Sequence, residues 1–215
     1  LERRPFLVLA RQDAWDTSGY AFPTDGWTWD DYLDWARKMT DPVAGLYGAA
    51  MDMVHYRLPG TQRGYSGSMY PYPNQADDLK FFRDLYTLMP DSARVRGGGL
   101  EDVMTGSALS TVVIPDHGRL RATNVTVVPY TLLPLPTPDV HSPMSVGYYG
   151  MQLGISSTTP YLQEAYTFIA WLVEQNERVA LSPSRIAQGS IPLRLTPEAL
   201  AELKRIYGPH AASIF

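Results

Sequence analysis

Four histidines, His55, His117, His141 and His210, carry the ring nitrogens best suited to hold a metal or move a proton near neutral pH. They are far apart in the chain, and none forms a His-x-x-x-His pair or another metal-ligand spacing. Asp30 and Asp31 are adjacent carboxylates of the kind used for general acid and base work on glycosides. A simpler reading explains them: Thr28 three residues before Asp31 forms a capping box, with both acids in the first turn of a helix, facing its positive end. Gly97, Gly98 and Gly99 precede a short helix and would cradle an anion there, but the Lys-Ser/Thr ending of a phosphate loop is absent, so a turn is favoured. Gly147, Gly150 and Gly154 lack dinucleotide spacing. With no cysteine, thiol chemistry and disulfides are excluded, while the compartment stays open. No enzyme, metal or cofactor signal emerges.

What remains is holding rather than transforming. The 14 Tyr and five Trp offer flat apolar faces with polar tips, suited to amphipathic ligands or to a core. A formal net charge of −4 with scattered Lys and Arg gives no footprint for nucleic acid. No apolar run reaches the roughly 20 residues of a membrane span.

The elements that must position such groups can be read in order. Phe6 to Ala10 reads as a short buried strand and Asp13 to Gly19 as a turn. Thr28 opens a helix whose apolar face is Trp29, Tyr32, Leu33, Ala36 and Met39, stopped by Asp41-Pro42. Gly45 to Met53 reads as a strand, and 57–74, rich in Gly, Pro, Ser and Tyr, as a long loop. Asn74 caps a helix over 75–89 with Leu79, Phe82, Tyr86 and Met89 on one face. A short helix over 100–105, a strand over 108–114 and a strand within 124–135 follow. Thr159 and Pro160 open a helix that would bury Leu162, Ala165, Tyr166, Ile169, Leu172 and Val173, and Thr196-Pro197 opens the last one.

Several of these stretches, in the same order, resemble one family. AWDTSGYAFPTDGWTWDDYLDWARKMT (14–40) resembles the segment with a "T-W-D-E-F" helix that follows the first hinge crossing in bacterial extracellular solute-binding proteins, the maltose-binding-protein-like receptors of sugar ABC importers. ADDLKFFRDLYTLM is similar to their "A-L-K-F-Y-K-D-L" helix. EDVMTGSALSTVV resembles "F-x-x-G-K-A-A-M-T-I", keeping Gly106 without the Lys after it, and Pro115-Asp116-His117 stands where relatives read "G-P-W". LLPLPTPD, SVGYYGMQLGIS, PYLQEAYTFIAWLVEQNERVAL and QGSIPLRLTPEALAEL resemble the later family segments, with Leu195 in place of a usual Lys.

The resemblance implies an α/β fold, a periplasmic-binding-protein-like (type II) lobe with a mixed sheet flanked by helices and most of the first lobe missing. Residues 1–145 would be the second lobe with the first hinge crossing near 6–10. Residues 146–195 would be the returning segment of the first lobe, and 196–215 a helix toward the second. It also implies an extracellular or periplasmic, lipid-anchored receptor, its anchor outside this chain. Such a receptor would take a carbohydrate or similar polar solute, report closure to an ABC permease, and need no cofactor. By that analogy Asp52, His55, Tyr56, Asp116 and His117 would bond hydroxyls at the cleft, and Tyr148 and Tyr149 would cover sugar faces. For residues spanning only part of the cleft, the expected affinity is weak. A ligand-sensing module for a membrane receptor is the alternative, and a carbohydrate-active enzyme ranks below it.

Overall fold

Leu7, Val8, Leu9 and Ala10 form an uninterrupted apolar run, and each is fully buried. A strand can afford apolar side chains on both faces only where both are covered. In the computed structural model, which describes residues 3–23, 26–51, 58–63, 75–96, 99–113, 129–139, 148–150, 153–180 and 196–207, this run is the central strand of a three-stranded sheet. The strands are β1 (Arg3–Pro5), β2 (Leu7–Arg11), β3 (Ser110–Val113), β4 (Tyr130–Leu133) and β5 (Tyr148–Gly150). The helices are α1 (Gln12–Ser18), α2 (Trp29–Met39), α3 (Leu58–Gln62), α4 (Gln75–Tyr86), α5 (Asp91–Arg96), α6 (Leu100–Thr105), α7 (Leu162–Ala180) and α8 (Pro197–Tyr207).

The chain divides into two compact units. The larger contains Phe6–Val113 and Thr123–Gly147, with the sheet β3-β2-β4. β2 runs antiparallel to β3, pairing Leu7 with Val113 and Ala10 with Ser110, and antiparallel to β4, pairing Val8 with Leu133 and Arg11 with Tyr130. Beyond β3, single parallel bridges join Tyr47 to Ala108 and Ala50 to Thr111. The smaller unit contains Leu1–Pro5, Ile114–Ala122 and Tyr148–Phe215. There β1 pairs antiparallel with β5, from Arg3 opposite Gly150 to Pro5 opposite Tyr148.

α2 forms as the sequence dictates. Thr28 Oγ1 accepts from the Asp31 N–H at 3.2 Å, and the Asp31 carboxylate accepts from the Thr28 N–H at 2.8 Å, closing the capping box. Trp29, Tyr32, Leu33, Trp35 and Ala36 are buried, each large side chain contributing about 1.5–3 kcal/mol. The core beside α2 is largely aromatic. Trp15 meets Trp27 edge-on at 5.8 Å and Trp35 at 5.6 Å, and Trp29 meets Phe81 at 5.1 Å. Four of the five Trp thus serve packing.

Several expectations are corrected. The stretch 13–19 is not a turn but nearly all of helix α1, stopped by Gly19 in the left-handed region at φ 77°. The long loop contains α3, and α5 was not foreseen. Residues 45–51 make only isolated bridges rather than a regular strand. On α4 the buried face is Asp78, Phe81 and Leu85, one position from the expected one, while Leu79 and Tyr86 are exposed. The charge of Asp78 hid this register: its carboxylate is buried and paired with Arg63 at 3.2 Å. Arg3–Pro5 pairs with 148–150, while Leu7–Arg11 lies in the other sheet. α7 begins at Leu162, and its expected buried face is not buried: Leu162 is 51% and Tyr166 57% exposed. Helical periodicity identifies an apolar stripe, whereas burial also needs a surface to receive it.

Candidate functional site

The strand directions decide where a ligand can be held. β3 and β4 both run against β2, and residues 47–50 run parallel to β3. The carboxyl ends of 47–51, β3 and β4 therefore lie at one end of the sheet, beside the start of β2 at Leu7. Open α/β sheets bind ligands outside the carboxyl ends of their strands, because the loops leaving those ends converge there. Chain connectivity makes Asp52 the next residue after Met51, and Asp116 and His117 follow Val113 by three and four positions.

Gly48 fixes how closely the segment 47–51 lies against α2, near the amino end of β3. A Cβ on it would lie 1.9 Å from the Ala36 carbonyl oxygen, so only glycine lets this segment approach α2 so closely. Its N–H donates to Thr40 Oγ1 at 2.9 Å, and that hydroxyl donates to the Ala36 carbonyl at 2.7 Å. Its carbonyl accepts from Ser110 Oγ at 2.7 Å. The Tyr32 hydroxyl lies 3.0 Å from the same Oγ. Burial pushes the Tyr32 phenol up to about 12, so the ring carries a neutral O–H across the ordinary pH range. Gly99 is structural for a similar reason: a Cβ there would lie 2.2 Å from Thr111 Oγ1.

The proline-rich stretch after β4 is latched to the α2 entry. Trp27 Nε1 donates to the Pro134 carbonyl at 2.8 Å, the Thr137 N–H to the Trp27 carbonyl at 2.8 Å, and the Trp29 N–H to the Thr137 carbonyl at 3.1 Å. Gln62 bridges the same region, accepting from Trp29 Nε1 and donating to the Pro136 carbonyl, each at 2.7 Å. A stretch without strand periodicity is thereby held by named donors.

Asp30 and Asp31 stand on the first turn of α2, and Asp31 is committed to the cap, so they do not form an acid and base pair across a substrate gap. Among the described residues no three His, Asp or Glu side chains gather as metal ligands, and no helix is long and apolar enough to cross a membrane. Asp52, His55, Tyr56, Asp116 and His117 lie outside the described residues, as do His141 and His210. Tyr148 and Tyr149 are placed by their backbones in β5, opposite Pro5 and Arg4. Two concavities occur elsewhere in the larger unit. One of about 210 Å³ has Trp29, Phe81, Asp30, Asp77, Asp84 and Lys80 in its wall, and one of about 370 Å³ is lined by Trp15, Tyr20, Phe22 and Trp27.

No family model and no curated protein matches this sequence. Solved structures do match its fold. A sugar transporter from Rhizobium etli, in an open conformation, is 18% identical with a TM-score of 0.69, over 100% of this chain and 59% of that one. An ABC substrate-binding protein from Listeria monocytogenes, solved in complex with cycloalternan, is 18% identical with a TM-score of 0.68, over 100% and 57%. An ABC transporter solute-binding protein from Agrobacterium radiobacter, in complex with ribitol, is 18% identical with a TM-score of 0.62, over 99% and 59%. The chain thus has the α/β, periplasmic-binding-protein-like fold that its motifs implied, and spans somewhat more than half the length of these structures.

Proposed function

We propose that this chain belongs to the solute receptor of an ABC importer and contributes the carboxyl end of its sheet to a site for a neutral carbohydrate or polyol. The observation that carries this reading is the convergence of 47–51, β3 and β4 at one sheet end, within a fold matched by proteins solved with an oligosaccharide and with a sugar alcohol. Chemistry supports it. Asp52, His55, Tyr56, Asp116 and His117 offer donors and acceptors for hydroxyl groups, while Tyr148 and Tyr149 offer ring faces for the apolar side of a pyranose. In the whole receptor, ligand contacts that differ between open and closed states would set the equilibrium that a permease reads. The lobe limits at 145/146 and 195/196, and an extracellular or periplasmic place with an anchor outside this chain, belong to the same proposal.

Isothermal titration of the 215-residue chain against mono-, oligosaccharides and polyols tests it. Saturable binding weaker than micromolar is expected, with loss of affinity in Asp116→Ala and Tyr148→Ala. Binding of a nucleotide or metal ion in place of any carbohydrate would overturn the reading, as would turnover of a glycan.

A further inference from the structure

α3, Leu58–Gln62, is five residues long, far too short to hold its shape without partners elsewhere in the fold. Its place is set from outside. Leu58, Pro59 and Gly60 are buried, and Arg63, just after the helix, pairs with the buried Asp78 of α4 at 3.2 Å. Gln62 anchors it on two further elements: its Oε1 accepts from Trp29 Nε1 and its Nε2 donates to the Pro136 carbonyl, each at 2.7 Å.

The chemistry of those two partners restricts what can stand at position 62. An indole N–H can only donate and a proline carbonyl can only accept, so the group between them must present an acceptor and a donor side by side. A primary amide does this with one planar group, and the two bonds fix which way it faces. Pro136 has no N–H, which leaves its carbonyl as its whole backbone hydrogen-bonding capacity.

Topology gives this clasp a wider reach. Residues 47–51 and β4 finish at the same end of the sheet. The chain leaving Met51 passes through Asp52, His55 and Tyr56 and enters α3 two residues later, at Leu58. The chain leaving Leu133 reaches Pro136 in three residues. Gln62 therefore joins the segments that leave two of the converging strand ends, and ties both to the entry of α2, all within the larger unit. Resting on the carbohydrate reading, we propose that Gln62 is a positioning residue for the sugar site: without touching the ligand, it fixes the end from which residues 52–56 are held against the stretch after β4.

Chemical-shift titration of the 215-residue chain and its variants with maltose and with ribitol tests this. Gln62→Leu removes both bonds at nearly constant size. Gln62→Glu, ionised at pH 7, still accepts from Trp29 but cannot donate to Pro136. Both should weaken sugar binding about tenfold, as when the binding-competent arrangement falls to roughly a tenth of the population. Ser92→Ala, which removes a donor to the buried Asp102 carboxylate between α5 and α6, also costs stability but should leave affinity within about twofold. The Trp29 indole N–H resonance reads the clasp without any ligand: it should move upfield in Gln62→Leu and hold in Gln62→Glu. If circular dichroism shows Gln62→Leu unfolded, Gln62→Glu carries the affinity test. Undiminished binding by Gln62→Glu would overturn the positioning role and leave the receptor reading standing. Equal weakening by Ser92→Ala would overturn it too, by assigning the effect to stability, as would an unmoved indole resonance in folded Gln62→Leu. A parent chain that binds no carbohydrate would overturn the receptor reading and this role with it.

Discussion

The Tyr32 hydroxyl and Ser110 Oγ lie 3.0 Å apart, joining α2 to β3 across 78 residues of sequence. Ser110 uses its only proton on the Gly48 carbonyl, so Tyr32 is the donor to Ser110. One phenol thereby ties helix, strand and the bridged segment 47–50 together at the sheet. Tyr32→Phe should cost about 1 kcal/mol in urea unfolding, the usual net value of a buried hydrogen bond between neutral groups.

The same phenol sets a pH dependence. Its folded value near 12 lies above the ordinary tyrosine value near 10, because burial opposes the phenolate. The folded state therefore holds its proton more tightly than the unfolded state. Stability from this group is intact below pH 10 and falls by up to roughly 3 kcal/mol as pH rises toward 12. Unfolding followed between pH 9 and 12 should show this loss, and Tyr32→Phe should remove it.

Gly48→Ala should be far more harmful than a typical glycine replacement. The added methyl would sit 1.9 Å from the backbone oxygen of Ala36, and backbone cannot swing aside as a flexible side chain can. A loss of about 3 kcal/mol or more is expected, at or above the usual cost of overpacking. Denaturant titration reads it directly.

Thr28→Ala removes one half of the capping box and should cost about 1 kcal/mol. Thr28→Ser keeps the hydroxyl and should stay close to the parent. Thermal unfolding of the two variants side by side separates the cap from mere loss of volume.

Arg63→Ala removes an ion-pair partner from the Asp78 carboxylate, which is only 1% exposed. About 2 kcal/mol of destabilisation is expected, less than the roughly 3–5 kcal/mol of a fully buried pair because Arg63 is partly solvated. In a double-mutant cycle with Asp78→Asn, the two losses should fall short of additive.

Local signals were legible in the sequence where one segment contains its own partners. Thr28 and Asp31 are three residues apart, and their box could be read without knowing the fold. The apolar run of β2 announced a covered strand. Legibility failed where the partner is distant. Asp78 was excluded from a buried face because only the fold brings Arg63 beside it, and that shifted the reading of α4 by one position. The closeness of Gly48 to Ala36 has no local signature, although they are only twelve residues apart, since it depends on how the chain returns through the 41–46 turn. On α7 the periodicity gave the right apolar positions, and nothing in a periodic pattern states what covers them. For the site, register places the strand ends together, whereas the expected ligand residues from Asp52 to His117 rest on motif likeness.

The proposed function requires that a sugar be held where 47–51, β3 and β4 end. Amide shifts of the isotopically labelled chain, recorded while maltose and ribitol are titrated in, read this out residue by residue. Saturable shifts are expected for at least one of them at Met51, Val113 and Leu133, with little change at Arg11 and Tyr130 at the opposite end of the sheet. Shifts confined to the opposite end, or to the concavity beside Trp29 and Phe81, would contradict it.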